Sequence, residues 1–505
     1  MAVESASDAA PESYLDLLEH YKQVANLKST QMLLRWDQQV MMPPGGTPAR
    51  SRELSALSGI QHELLTDVEV GTLLTDLEDA ELTGPQAGAV REIRREHKRA
   101  DRVPRHLIET ISEKTSEALP VWERAREEDD FDAFAPALEE LIELQRGYAN
   151  HIDPDKDPYE VLFEEYEPYL GLDTAERVLG RLRDELVPLI DEIAESGVEL
   201  ATPFAGGTYP EAKQEALARD VLDVLDYDWN RGRLDTSTHP FTSGNQFDCR
   251  ITTRFDESEP LDALSSTIHE FGHAAYNLGL PQDEYGTPLG NSRDLTVHES
   301  QSRLWENHIG RTRSFWQRIL PLAKEHLDGI DDMTVDEVYQ AANQVYPDNL
   351  IRVEADELTY HMHIVLRFEI ERALISGDLA VEDIPQVWND KMEEYLGVRP
   401  ENDTMGCLQD IHWSHGSFGY FPTYSLGSVL AAQLDHHIRQ DIDDFDGNLR
   451  EGAFGELHDW LTDKIHRHGA RYTTPALIRE ATGEDYTADY FIDYVTAKFG
   501  DLYGL

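Results

Sequence analysis

The chain has 505 residues and carries 44 Lys and Arg against 98 Asp and Glu, a formal net charge of −54. Such a charge repels nucleic acid and anionic membrane surfaces, so neither is expected as a partner. Two cysteines make no disulfide framework and suit a reducing, cytoplasmic setting.

Acids are spread along the whole chain and only ten residues are lysine. That composition reads as adaptation to very high salt, where screening removes self-repulsion, rather than as a patch built for a basic partner. The length allows several domains or one large two-lobed enzyme with a sizeable core. The opening MAVESASDAAPESYLDLLEHY is acidic without an apolar stretch, so no signal peptide is expected there. No apolar run of 18 residues occurs, so no membrane span is expected.

In chain order, Tyr14, Leu17, Leu18, Tyr21, Val24 and Leu27 recur at helical spacing. Residues 41–48, MMPPGGTP, read as a loop. Further helical patterns cover 51–80, 84–120, 131–151, 173–198 and 209–227, with EEDD at 127–130 as a solvated face. The texture changes over 239–256, where Phe247, Cys249, Ile251 and Thr253 alternate with polar residues as in a strand, paired with a second short strand nearby. Such a strand can pair with an extended peptide backbone if it lies at an edge. Helical patterns then run to the end. The expected fold is mainly α, one domain over 1–505, with a helical wall or lid lobe over about 1–230 and a second lobe over about 231–505.

Residues 269–273 read His-Glu-Phe-Gly-His. On a helix, positions i and i+4 share a face, so His269 and His273 can converge on one zinc ion while Glu270 takes a proton from bound water. The flanks support a helix: Pro260 suits its first turn, Leu261, Leu264, Ile268, Phe271 and Ala275 form an apolar stripe, and Gly279 suits the position past its end. A catalytic zinc takes three protein ligands. The next helical pattern, DLTVHESQSRLWENHIG, offers Glu299, and His298 points about a quarter-turn away. Glu299 could instead pair with Arg303 at i+4. The residues alone leave these readings open.

Beyond this motif the chain resembles the carboxypeptidase Taq family of metallocarboxypeptidases along nearly its whole length. The resemblance rests on WDQQVMMPPGG at 36–46, HPF at 239–241, DCRITTR at 248–254, HEFGH at 269–273 and HESQSR at 298–303. It continues in IRVEAD at 351–356, GCLQDIHW at 406–413 and GYFPTYSLG at 419–427. It implies Glu299 as third metal ligand and a zincin-like, neurolysin-like helical fold with a long substrate groove and a small sheet beside the metal helix. It further implies a homodimer, removal of single residues from peptide C-termini with broad tolerance, and zinc as the metal with cobalt able to serve.

The remaining chemistry needs an oxyanion donor and a grip on the substrate's α-carboxylate. Tyr420, Tyr424 and His412 are candidates for the first, the resemblance favouring His412 and Tyr420, with packing as the plain alternative. Arg352 is the first choice for the second and Arg250 the next, because a guanidinium fork matches two carboxylate oxygens. Structural ion pairs are the plain alternative for both. Gln409 contacts substrate or packs. His239 contacts substrate or braces the site from behind. Asp356 and Asp248 could accept the second N–H of a metal-bound imidazole. Cys249 and Cys407 read as small buried residues. The competing functions are an oligopeptidase with the same metal and Glu270, and a non-catalytic metal-binding scaffold.

Overall fold

The computed structural model describes residues 10–505. Part of the segment on which the signal-peptide expectation rests, residues 1–9, lies outside the described residues. Elsewhere helices dominate, as the 3.6-residue periodicity requires, and the described residues hold one three-stranded sheet. No described helix is long and apolar enough to cross a membrane.

Local chemistry explains most of the boundaries. The pattern over 84–120 is two helices, Gly84–Arg102 and Arg105–Glu128, because Pro104 holds Val103 extended at φ −95 and ψ 120. The EEDD run is a joint rather than only a solvated face. The helix stops at Glu128, Asp129 takes the left-handed conformation at φ 55, and the Asp130 side chain caps the helix Phe131–Ile152 by accepting from the Ala133 amide. The expected loop at 41–48 contains a single 3₁₀ turn, Pro44–Gly46, and a helix starts at Thr47.

The sheet has three strands, β1 (Gly232–Thr236), β2 (Phe241–Gly244) and β3 (Cys249–Thr253), in the order β1-β3-β2. β3 runs parallel to β1 and antiparallel to β2. It is the central strand, so it cannot accept a peptide at its edge as expected; β1 and β2 are the edges. Phe247 falls in the turn before β3 and is exposed.

One contiguous apolar core runs from Val103 to Tyr503 and therefore crosses residue 230 without a break. A smaller core gathers Tyr14, Leu17, Tyr21, Val70, Leu74 and Val90 beneath the first helices. The helices Pro260–Gly279, Leu295–Arg303 and Pro422–Asp441 pack side by side in the large core. Two glycines permit that approach. A Cβ on Gly272 would lie 2.6 Å from the Ser302 Cα, and one on Gly427 would lie 2.5 Å from the Glu299 Cβ. The helix bearing Glu299 is thus clasped at backbone distance from both sides.

Candidate active site

The helix Pro260–Gly279 begins with Pro260 in its first turn and presents Ile268 and Phe271 to the core. Gly279 is its last helical residue rather than the residue beyond. A Cβ there would meet the His466 ring at 2.3 Å, so close approach accounts for this glycine. Phe271 packs edge-on to Trp305 at 4.9 Å, which fixes the rotation of the helix. His269 and His273 then share one face, as i and i+4 dictate.

The Nε2 atoms of His269 and His273 lie 3.7 and 3.4 Å from Oε2 of Glu299, and one ligand atom from each residue falls within 4.8 Å of the others. A tetrahedral zinc with ligands near 2.0–2.1 Å places donor atoms about 3.4 Å apart, so these three residues fit the ion. The rear of each ring is held. Nδ1 of His269 donates to Oε2 of Glu306 at 2.9 Å, and Nδ1 of His273 donates to the His298 carbonyl at 3.1 Å. Both bonds leave the Nε2 lone pairs free to bind a metal. Glu299 divides its oxygens: Oε1 accepts from Nε of Arg303 at 2.8 Å while Oε2 faces the imidazoles. The i+4 ion pair is therefore compatible with a ligand role. Burial opposes ionisation of Glu299, yet Arg303 and the two histidines hold its carboxyl well below the usual range.

Behind the ligands, Glu306 also receives Arg303 at 3.1 Å and Arg311 at 2.8 Å. Glu306 sits on a π-helical stretch, Leu304–Gly310, that continues the helix Leu295–Arg303. Glu270 is buried, and its Oε2 lies 2.8 Å from Oγ1 of Thr242 on the edge strand β2. The same hydroxyl is 2.8 Å from the Glu270 carbonyl, so it can donate to either oxygen.

A second buried cluster adjoins the first through Tyr360. Arg303 stacks on the Tyr360 ring with 4.8 Å to its centroid, and Nη1 of Arg352 donates to the Tyr360 hydroxyl at 3.3 Å. Arg352 donates from Nε and Nη2 to Oδ1 of Asp410 at 3.0 and 2.9 Å, and Arg367 donates from Nε to Oδ2 at 2.6 Å. Desolvation opposes the charge on Asp410, but the two guanidiniums keep it ionised. Above Arg352 stand Tyr424, with its centroid 5.4 Å from the guanidinium, and Tyr420, whose ring meets Tyr424 at 5.3 Å, Tyr166 at 5.0 Å and His412 at 5.5 Å. Burial, followed by the Glu299 carboxylate, raises the Tyr420 phenol, which therefore keeps its proton. Burial lowers His412 to about 4, so its ring is neutral at pH 7.

A family model, carboxypeptidase Taq (M32) metallopeptidase, matches residues 16–499. The thermostable carboxypeptidase 1 of Pyrococcus furiosus is 39% identical over 97% of this chain and 98% of its own. That of Thermus thermophilus is 37% identical over 98% and 100%. Among solved structures, the M32 carboxypeptidase of Deinococcus radiodurans R1 shares 36% identity and a TM-score of 0.94, covering 98% of this chain and all of that one. Pyrococcus furiosus carboxypeptidase (Apo-Mg) gives a TM-score of 0.94 with 97% and 99% coverage.

The chain belongs to the carboxypeptidase Taq family.

It is accordingly a metallocarboxypeptidase with the mainly helical fold expected of that family. Within this carboxypeptidase the structure brings together His269, His273, Glu299, Glu270, Arg352, His412, Tyr420 and Tyr424. It places other expected residues elsewhere. His298 points its Nε2 to Asn277 at 3.3 Å rather than toward the cluster of ligand atoms; its ring packs on that of His273 at 4.5 Å and its carbonyl accepts from His273. Gln409 braces the backbone around Arg352. Its oxygen accepts the Arg352 amide at 2.9 Å, and its nitrogen reaches the carbonyls of Leu350, Met405 and Gly406.

Arg250 on β3 forms a local ion pair. It donates to both oxygens of Asp248 at 2.9 and 2.7 Å and lies over Trp36 at 4.2 Å, tying β3 to the first long helix. His239 lies in the exposed turn between β1 and β2, with its carbonyl accepting from Ser237 at 2.6 Å. Neither Asp248 nor Asp356 supports a metal ligand. Asp356 accepts the amides of Tyr346, Leu358 and Thr359 and organises the start of the helix Thr359–Ser376.

The supporting roles of Glu306, Thr242, Tyr360, Asp410 and Arg367 escaped sequence reasoning. Glu306 alone left a usable trace: it lies seven residues beyond Glu299, about two helical turns on. Both cysteines are buried and free, and burial pushes the Cys249 thiol up to about 12.

Proposed function

We propose that this carboxypeptidase is a zinc enzyme that releases single residues from peptide C-termini, with His269, His273 and Glu299 as ligands, Glu270 as general base and Arg352 as the anchor for the substrate α-carboxylate. One observation carries the reading: two adjoining buried clusters hold opposite residual charge. Around the ligands, Glu299 and Glu306 pair with Arg303 and Arg311, and the buried Glu270 adds a third acid with no basic partner among the described residues. Beyond Tyr360, two guanidiniums face the single carboxylate of Asp410. Buried charge must be compensated, so the first cluster suits a cation and the second an anion. A peptide C-terminus supplies the anion one residue away from the bond to be cut, which favours exopeptidase over internal cleavage.

Two imidazole nitrogens with one carboxylate suit zinc, whereas magnesium favours an oxygen shell; cobalt fits the same donors. Bound zinc would polarise the scissile carbonyl and acidify a water. The chain's own residues do the rest. Glu270, oriented by Thr242, accepts the water proton and delivers it to the leaving amine. Tyr420 and neutral His412 can each donate to the developing oxyanion, with Tyr424 placed to hold Tyr420. Arg352 fixes the α-carboxylate, and His239 meets the substrate from the exposed turn.

The lobe division near residue 230, a homodimer, a cytoplasmic setting and molar-salt solvent belong to the same reading. The family resemblance supports the dimer, and the net charge of −54 supports the salt requirement. Mass in solution and unfolding on dilution from molar salt test these two. The activity is tested with an N-blocked hexapeptide in high salt. Stepwise loss from the C-terminus, abolished by chelator and restored by zinc or cobalt, is expected; a single internal cut would overturn the anchor role of Arg352.

A further inference from the structure

A cavity of about 580 Å³ lies between the helix Gly84–Arg102 and the segment 152–169. Its lining is unlike the rest of this acidic chain. Arg91, Arg94, Arg95, Lys98, Arg99 and Arg102 recur at i, i+3, i+4, i+7, i+8 and i+11 and therefore form one stripe along the helix. These twelve positions hold six of the 44 basic residues, against about one for an even spread. Lys156 lies on the opposite wall, neutralised there by Glu160 and Glu164, and Asp153 completes the acidic lining.

The two glutamates of that helix segment are engaged elsewhere. Glu92 takes both Nη atoms of Arg293 at 3.0 Å and also pairs with Arg91, while Glu96 takes Tyr21 and Lys28. Arg94 and Arg99 pair with Glu78 and Glu165. Among the described residues, Arg95, Lys98 and Arg102 have no carboxylate partner. Arg95 and Arg102 each spend one nitrogen on a helix-end carbonyl, of Glu164 and Ile152, and Lys98 makes no hydrogen bond. Like charges at i+3 and i+4 repel, so three cations lacking an acid on one wall lower the local stability unless an anion joins them.

We propose that this cavity is a binding site for a small, multiply charged oxyanion, a phosphate-bearing or polycarboxylate molecule, distinct from the peptide site. The volume suits a small molecule, and guanidinium forks match tetrahedral and planar oxyanions alike. The wall segment also carries Tyr166, which packs on Tyr420, so the cavity stands behind the catalytic wall rather than on it.

Equilibrium dialysis of the full-length metal-loaded protein against labelled inorganic phosphate, in molar KCl, tests the site, because that salt screens diffuse surface attraction to within about 3 Å. Saturable binding of one phosphate per chain is expected, weakened about tenfold or more by Lys98→Gln and unchanged by Lys213→Gln on a remote surface. Lys98 is exposed and braces nothing, so its replacement leaves folding intact. Displacement by succinate would assign the site to carboxylates, and resistance to succinate would assign it to phosphates. Absence of saturable binding, or equal affinity in Lys98→Gln and the parent protein, would overturn the proposal.

Discussion

The two buried charge clusters on either side of Tyr360 are built from the same residue types to opposite ends. The metal cluster keeps one buried acid, Glu270, without a basic partner among the described residues. Glu299 commits one oxygen to Arg303 and turns the other to two imidazoles whose remaining nitrogens are held by Glu306 and a carbonyl. The arginine cluster keeps an excess guanidinium, with Arg352 and Arg367 sharing Asp410. Both are desolvated, so neither excess is screened as it would be at the surface. Cleft chemistry can thus be read from the sign of what remains after pairing, even where each group viewed singly looks like a structural ion pair.

The sharpest way to break this comparison is Glu270→Gln, which alters the metal cluster's excess charge without touching a ligand. It should retain stoichiometric zinc and lose about 10²–10⁴-fold in kcat, measured with matched metal content. Metal lost along with activity would show Glu270 to be part of the binding set.

Next in size, Arg352→Met removes the excess positive charge from the other cluster. A loss of about 10²-fold in kcat/KM is expected for peptides with a free α-carboxylate. A C-terminally amidated peptide should suffer a similar loss with the parent enzyme and little further loss with the variant. Additive losses would place the α-carboxylate elsewhere.

Glu306→Gln tests whether the metal cluster depends on the group behind His269. A zinc affinity lower by about 10–100-fold is expected from competition with a chelator, and excess zinc should restore most of the activity.

The smallest effect separates the clusters from their surroundings. Burial lowers His361 and His466 to about 3 and His412 to about 4. The folded state therefore binds fewer protons than the unfolded chain below the ordinary histidine value of about 6.5. The stability these residues contribute is full above that value and is lost as pH falls toward 4. Denaturant midpoints recorded from pH 7 to pH 4 in constant salt should decline, and His466→Gln should flatten the decline. Glu371, raised by burial to about 7, acts in the opposite sense. Its contribution is full below the ordinary glutamate value of about 4.3 and is lost as pH rises through 7, so Glu371→Gln should steepen the rise in stability across that interval.

Spacing alone determined much of this molecule. The i and i+4 histidines, the apolar stripe around them and Pro260 specify a buried metal-bearing helix, because helical geometry is local and repeats every 3.6 residues. The alternation over 247–253 located β3 for the same kind of reason, although its central place in the sheet depends on β1 and β2 pairing to either side. Tertiary structure decided the rest. Whether Glu299 served Arg303 or a metal could not be settled along one helix, since each carboxylate oxygen answers to a different neighbour. Likewise the contacts of Gln409 and Arg250 depend on the Arg352 amide and the Trp36 ring, brought in from distant parts of the chain. Partners of long polar side chains are fixed by packing between elements, on which residue spacing is silent, and that packing set the two groups of ion pairs side by side around Tyr360.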